Sequence, residues 1–133
     1  MGAFGYTLLF PRQIAAAVRV LRESVTLAER AKSPALLAAN RWRLGEALYA
    51  DRKPEEAVTW IEPAVVWLRS AKRTESLPLV LVKYGTALAG TARFQEAQPA
   101  WEEALALAQA NGDKAIQSMA LLRLVGHAGM HTP

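Results

Sequence analysis

No cysteine occurs among the 133 residues, which excludes disulfides and thiolate chemistry and is compatible with a cytoplasmic protein. Long apolar runs are missing as well, and none approaches the length of a membrane span. The opening MGAFGYTLLF is apolar but short and has no positive n-region, so no signal peptide is expected. Tyr6 stands where a myristoylation motif after Gly2 would need Ser or Thr. Dense tracts of one charge are absent too. The net charge is +4, but Arg12, Arg19, Arg22, Arg30, Lys32, Arg41, Arg43, Arg52 and Lys53 are scattered and alternate with acids. That pattern describes solvated helix faces, and nucleic acid is not an expected partner.

What is present points to helices. Hydrophobic residues make up 52% and charged residues 21%, a globular balance. The length suffices for one domain with a modest core. Alanine and leucine dominate and β-branched runs are few, which favours helix over strand.

The stretch LGEALYADRKPEEA, Leu44 to Ala57, recurs in outline as YGTALAGTARFQEA, Tyr84 to Ala97. The shift is 40 positions, the distance from Gly45 to Gly85. In this register Ala47 falls on Ala87, Leu48 on Leu88, Glu56 on Glu96, Ala57 on Ala97 and Ala64 on Ala104. Ile61 falls on Trp101, Val65 on Leu105 and Trp67 on Leu107. Shifted backwards, Gly5, Leu8, Ala17 and Leu21 keep the same register. Each unit reads as two helices. A helical glycine costs about 1 kcal/mol against alanine, so Gly45 needs a reason, and close approach of a neighbouring helix supplies one. Pro54 suits a first helical position, and Glu55-Glu56 suit the positive helix N-terminus.

These residues resemble the tetratricopeptide repeat. The first copy matches at Leu44, Gly45, Ala47, Leu48, Pro54, Glu56, Ala57, Ile61, Ala64, Val65 and Trp67. The second matches at Tyr84, Gly85, Ala87, Leu88, Phe94, Glu96, Ala97, Trp101, Ala104, Leu105 and Leu107. The resemblance covers nearly all of the chain. It departs from the family in its period of 40 against the usual 34 and in lacking the proline after the second helix. Longer units rich in Ala, Arg and Leu resemble arrays in bacterial regulators, notably actinobacterial ones. The resemblance implies an all-α fold, a tetratricopeptide-like α-solenoid of antiparallel helix pairs with about seven helices. Residues 1–133 then form a single domain, with units near 1–33 (partial), 34–73, 74–112 and 113–133 (partial). The expected helices are a stub at Ala3–Phe10 and longer ones near Arg12–Ala31, Pro34–Ala50, Pro54–Arg73, Leu77–Gly90, Phe94–Asn111 and Asp113–His127. Asn111-Gly112 reads as a helix stop, with Asp113 capping the next start. Pro63 falls inside a helix and should kink it.

Solenoids of this kind bind extended peptides or partner helices on a concave face formed by the first helices. The resemblance places Tyr6, Leu9, Phe10, Trp42, Glu46, Tyr49, Val82, Thr86, Ala89, Arg123 and His127 along that groove. It is aromatic and apolar in its first half and basic at its end. Trp42 and Tyr49 share one helix face, and either line the groove or fill core between adjacent repeats. Some members of the family clamp a C-terminal carboxylate with lysine and asparagine. Trp42 and Glu46 occupy two of those places here, which argues against that mode.

Catalytic signals are thin, and no enzyme activity, cofactor or metal is expected. His127 and His131 have an i, i+4 spacing, but no third ligand is evident and a frayed tail is the simpler reading. Glu55-Glu56 and Glu102-Glu103 are adjacent pairs, which do not face each other on a helix. Ser24, Ser70 and Ser118 have no histidine at a recognisable spacing.

Met119 to Met130, MALLRLVGHAGM, is apolar over most of its circumference, and no polar cap follows. Solenoids need such caps. Either the chain is a segment of a longer array, or its ends pair with a second copy. Leu121, Leu122 and Val125 are the expected self-association residues of a homodimer. The leading functional reading is a non-enzymatic protein- or peptide-binding scaffold. The alternatives are a sensor segment of a transcription regulator or signalling ATPase, and a small-ligand-binding helical protein.

Overall fold

A computed structural model describes residues 11–131, with side chains through residue 127. Six helices account for most of them: α1 (Pro11–Arg30), α2 (Pro34–Ala50), α3 (Pro54–Ser70), α4 (Leu77–Gly90), α5 (Phe94–Asn111) and α6 (Lys114–His131). Among the described residues there is no strand. Among the described residues the count is six, and the expected seventh helix, the stub Ala3–Phe10, lies outside them. Boundaries agree with expectation within a few residues, with two corrections. α3 stops at Ser70 and not Arg73, because the chain turns at Lys72 with φ 56°. α6 continues to His131, so the tail beyond His127 is helical and not frayed.

Local chemistry explains the starts. Pro34, Pro54 and Pro78 lie in first turns, where a missing N–H costs nothing. Ser33 caps α2 by accepting from the Leu36 N–H at 3.3 Å, and Asp113 accepts from the Ile116 N–H at 3.1 Å. Glu55 and Glu56 occupy the first turn of α3. Pro63 lies inside α3 without dividing it. It removes one backbone bond, while the buried side chains of Ile61, Ala64, Val65 and Leu68 hold both halves against the core.

The helix stops repeat every 20 residues. Lys32, Arg52, Lys72, Ala92 and Gly112 all have positive φ, between 55° and 72°. At each stop the N–H one residue further on reaches back to a buried apolar residue's carbonyl. Ser33 bonds to Ala28, Lys53 to Leu48, Arg73 to Leu68, Arg93 to Leu88 and Asp113 to Ala108. This pairing satisfies carbonyls that a helix end leaves open. Only Gly112 was legible as a left-handed stop. The other four positions bear side chains that disfavour this conformation by about 1–2 kcal/mol, and the bonds and docking beyond them hold it.

Each helix packs on the next, and there are two further contacts, α2 with α4 and α4 with α6. On the other side, ion pairs tie α1 to α3 (Arg22 to Glu56, 2.8 Å) and α3 to α5 (Arg69 to Glu103, 2.7 Å). The even-numbered helices thus form one layer and the odd-numbered helices another. The core between them contains Leu44, Leu48, Ile61, Val80, Leu81, Leu88 and Trp101. Gly45 and Gly85 sit at equivalent contacts between the layers. A Cβ on Gly45 would collide with the Ile61 side chain and lie 3.0 Å from the Ala57 carbonyl. A Cβ on Gly85 would lie 2.5–2.9 Å from the Trp101 indole. The wedge is aliphatic in one unit and aromatic in the next.

Candidate binding groove

The layer of even-numbered helices carries a cleft of about 410 Å³. Its walls come from α2 (Glu46, Tyr49, Ala50), α4 (Val82, Lys83, Thr86) and α6 (Met119, Arg123), with Ile61 of α3 at its base and Ile14 of α1 at one end. A second depression, about 280 Å³, shares Ile14, Glu46 and Ala50 with it and adds Ala17, Leu21 and Arg43. A third, about 170 Å³, shares Tyr49, Thr86 and Arg123 and adds Ala89, Phe94, Trp101, Leu122 and His127. Shared walls make the three one continuous groove, from α1 across α2 and α4 to α6.

Several expected residues meet here. Glu46, Tyr49, Val82, Thr86 and Arg123 line the central cleft, and Ala89 and His127 line its α6 end. Tyr49 is 41% exposed. Val82 is buried and offers only its edge to the groove, because its main role is core. Trp42 stands apart from the lining residues. It is half-buried against the core, and the Arg43 guanidinium lies 4.9 Å over its ring. Tyr6, Leu9 and Phe10 lie outside the described residues. Ile14, Lys83, Met119 and Phe94 are lining residues that sequence reasoning missed. Ile14 was legible only as one of many apolar helix positions, and Lys83 only as a solvated cation.

The polar groups divide into satisfied and available ones. Lys83 Nζ lies 2.5 Å from Glu46 Oε2 across the cleft, with both side chains about a quarter exposed. The Thr86 hydroxyl donates to the Val82 carbonyl at 2.8 Å. The Trp101 indole N–H donates to the same carbonyl at 3.3 Å. His127 stacks on Phe94 with ring centroids 5.7 Å apart and meets Trp101 edge-on at 6.0 Å. Its Nε2 lies 3.0 Å from Gln98 Oε1. Arg123 is exposed at the rim and makes no ion pair with any described carboxylate.

On the far side, Tyr84 donates its hydroxyl to Glu62 at 2.8 Å. Burial, and then the adjacent carboxylate, push its pKa up to about 12. Arg93 pairs with Glu96 at 2.6 Å, which holds the Glu96 carboxyl below its ordinary value. Glu103 pairs with Arg69 at 2.7 Å on the exposed surface. These are structural pairs of exposed or partly exposed groups, and each stabilises the fold modestly.

No three His, Cys, Asp or Glu side chains converge among the described residues in a way that could hold a metal. No helix among them is long and apolar enough to cross a membrane. No protein-family model matches the chain, and no curated protein matches it.

Proposed function

We propose that the chain is a non-enzymatic interaction module, a cytoplasmic tetratricopeptide-like solenoid of antiparallel helix pairs. Its groove holds a peptide or partner helix, and the module self-associates. The observation that carries the binding reading is the continuity of the groove across four helices, with mostly apolar walls. That shape suits an elongated occupant more than a compact one. The ion pair at its centre and the Thr86 hydroxyl are already satisfied internally, which leaves apolar contact as the main interaction on offer.

Tyr49→Ala tests this reading. The ring is substantially exposed, so its loss should change the unfolding midpoint little. Truncation of an aromatic hot spot costs about 2 kcal/mol or more of binding. Affinity for peptides selected from a displayed random library should therefore fall more than about tenfold. Val66→Ala, exposed on α3 away from the groove, is the control and should leave affinity unchanged. Equal affinities for all three proteins would end the groove reading. The central cleft volume also lies in the range of small-ligand sites, and a binder found only among small apolar molecules would favour that second reading.

Self-association rests on α6. Leu121, Leu122 and Val125 are 49%, 72% and 68% exposed. Val125 lies three residues beyond Leu122 and four beyond Leu121, so each of the two neighbours it on the helix surface, while Leu124 turns inward against the core. Closed twofold pairing covers such a patch without building filaments. Sedimentation at micromolar concentration should give a mass near twice 14.5 kDa. Leu122→Glu and Val125→Glu should each shift it towards monomer. A wild-type monomer would refute the pairing, and a dimer indifferent to both charges would move the interface elsewhere, towards Trp60 and Trp67.

A further inference from the structure

We infer that the segment held in this groove is acidic as well as apolar, and that Arg123 binds one of its carboxylates. The inference rests on the groove reading above and adds the chemistry of the occupant.

The argument is one of charge complementarity. Four charged side chains line the groove: Arg43, Glu46, Lys83 and Arg123. Lys83 and Glu46 neutralise each other across the centre. Arg43 lies over the Trp42 ring at the α1 end. Arg123 remains, exposed where the central cleft opens into the α6 end. Its neighbours in both depressions are Tyr49 and Thr86, so an anion there sits beside apolar and aromatic surface. The Thr86 hydroxyl proton is committed to the Val82 carbonyl, which leaves the guanidinium as the principal donor for an acceptor at that point. A planar guanidinium with a fork of donors takes a carboxylate in two parallel bonds.

The central pair sets the register. A carboxylate placed over Lys83 would meet Glu46 and lose its attraction, so the anion belongs at the α6 end and apolar side chains belong over the centre. The occupant is therefore a peptide segment with large apolar residues on one side of an Asp or Glu. A second copy of α6 does not fit this description. The charged residues of α6 are Lys114 and Arg123, with no acid among them.

The test uses the full chain against a displayed library of random linear peptides, followed by affinities of synthetic binders with amidated C-termini. Asp or Glu should be enriched next to large apolar residues. Arg123→Glu should weaken those peptides at least about tenfold, the loss of one charge-assisted bond. Replacing the peptide acid by Lys should recover affinity on Arg123→Glu alone. Arg123→Gln should lie between the two proteins, and all three should share one unfolding midpoint. Binders without acid enrichment, unaffected by Arg123→Glu but weakened by Tyr49→Ala, would overturn this inference and leave the groove reading standing. Affinity that depends on a free C-terminal carboxylate and not on a side chain would overturn the proposed register. Selection of no binder would overturn both readings.

Discussion

Trp101→Ala should lose about 3–5 kcal/mol of stability and reverse the sign of a second substitution beneath it. The indole is buried, 3% exposed, and lies directly over Gly85. Its removal opens a cavity between α4 and α5 and deletes the bond from its N–H to the Val82 carbonyl. That carbonyl still accepts from the Thr86 hydroxyl, so the loss is mainly one of packing. In the wild-type background Gly85→Ala places a methyl within 2.5–2.9 Å of three indole atoms. A ring cannot yield as the end of a flexible chain can, so Gly85→Ala should destabilise despite a helix-propensity gain of about 1 kcal/mol. With Trp101→Ala already present the methyl enters empty space, and the same substitution should stabilise. Urea unfolding of the four proteins measures the cycle directly. Simple additivity would show that the indole does not rest on Gly85.

Gly45→Leu should cost about 1–3 kcal/mol by overpacking the equivalent contact in the preceding unit. Here the wedge is Ile61, whose Cγ1 is the atom that an added Cβ would meet first, with the Ala57 carbonyl 3.0 Å away. Gly45→Ala should also destabilise, by less, since the helix-propensity gain offsets part of the clash. Ile61→Val keeps a γ-carbon and should leave the Gly45→Ala penalty largely in place. Ile61→Ala removes the γ-carbons and should relieve most of it, the backbone oxygen alone remaining. A Gly45→Leu variant with an unchanged thermal midpoint would refute the close approach of α2 and α3.

Much of the molecule was legible because its signals are local. Pro34, Pro54 and Asp113 act within one turn of where they stand, and so mark helix starts. Gly45 and Gly85 were legible as a close approach because glycine inside a helix has a cost that something must offset. The groove was legible in part. Glu46, Tyr49, Thr86 and Arg123 are positions that the family resemblance implied, and the helices bring them to one cleft. Lys83 was not, because nothing in its neighbourhood along the chain shows that it meets Glu46, 37 positions earlier. His127 was placed in the groove by the family resemblance, but its contacts with Phe94 and Trp101 were not legible, since they depend on how α6 docks against α5.

The sequence by itself determined that the chain is helical, where most helices begin and end, and the 40-residue register that matches Gly45 with Gly85 and Ile61 with Trp101. Those properties come from propensity, capping and periodicity, which operate over a few residues. Tertiary structure alone decided the 20-residue recurrence of left-handed stops at Lys32, Arg52, Lys72 and Ala92. None of those side chains favours that conformation, and it is held because the next helix must turn back onto buried Ala28, Leu48, Leu68 and Leu88. Docking likewise decided which apolar residues of α6 face water. Leu124 and Val125 are chemically similar neighbours, and only the position of α5 and α4 makes one of them core and leaves the other exposed.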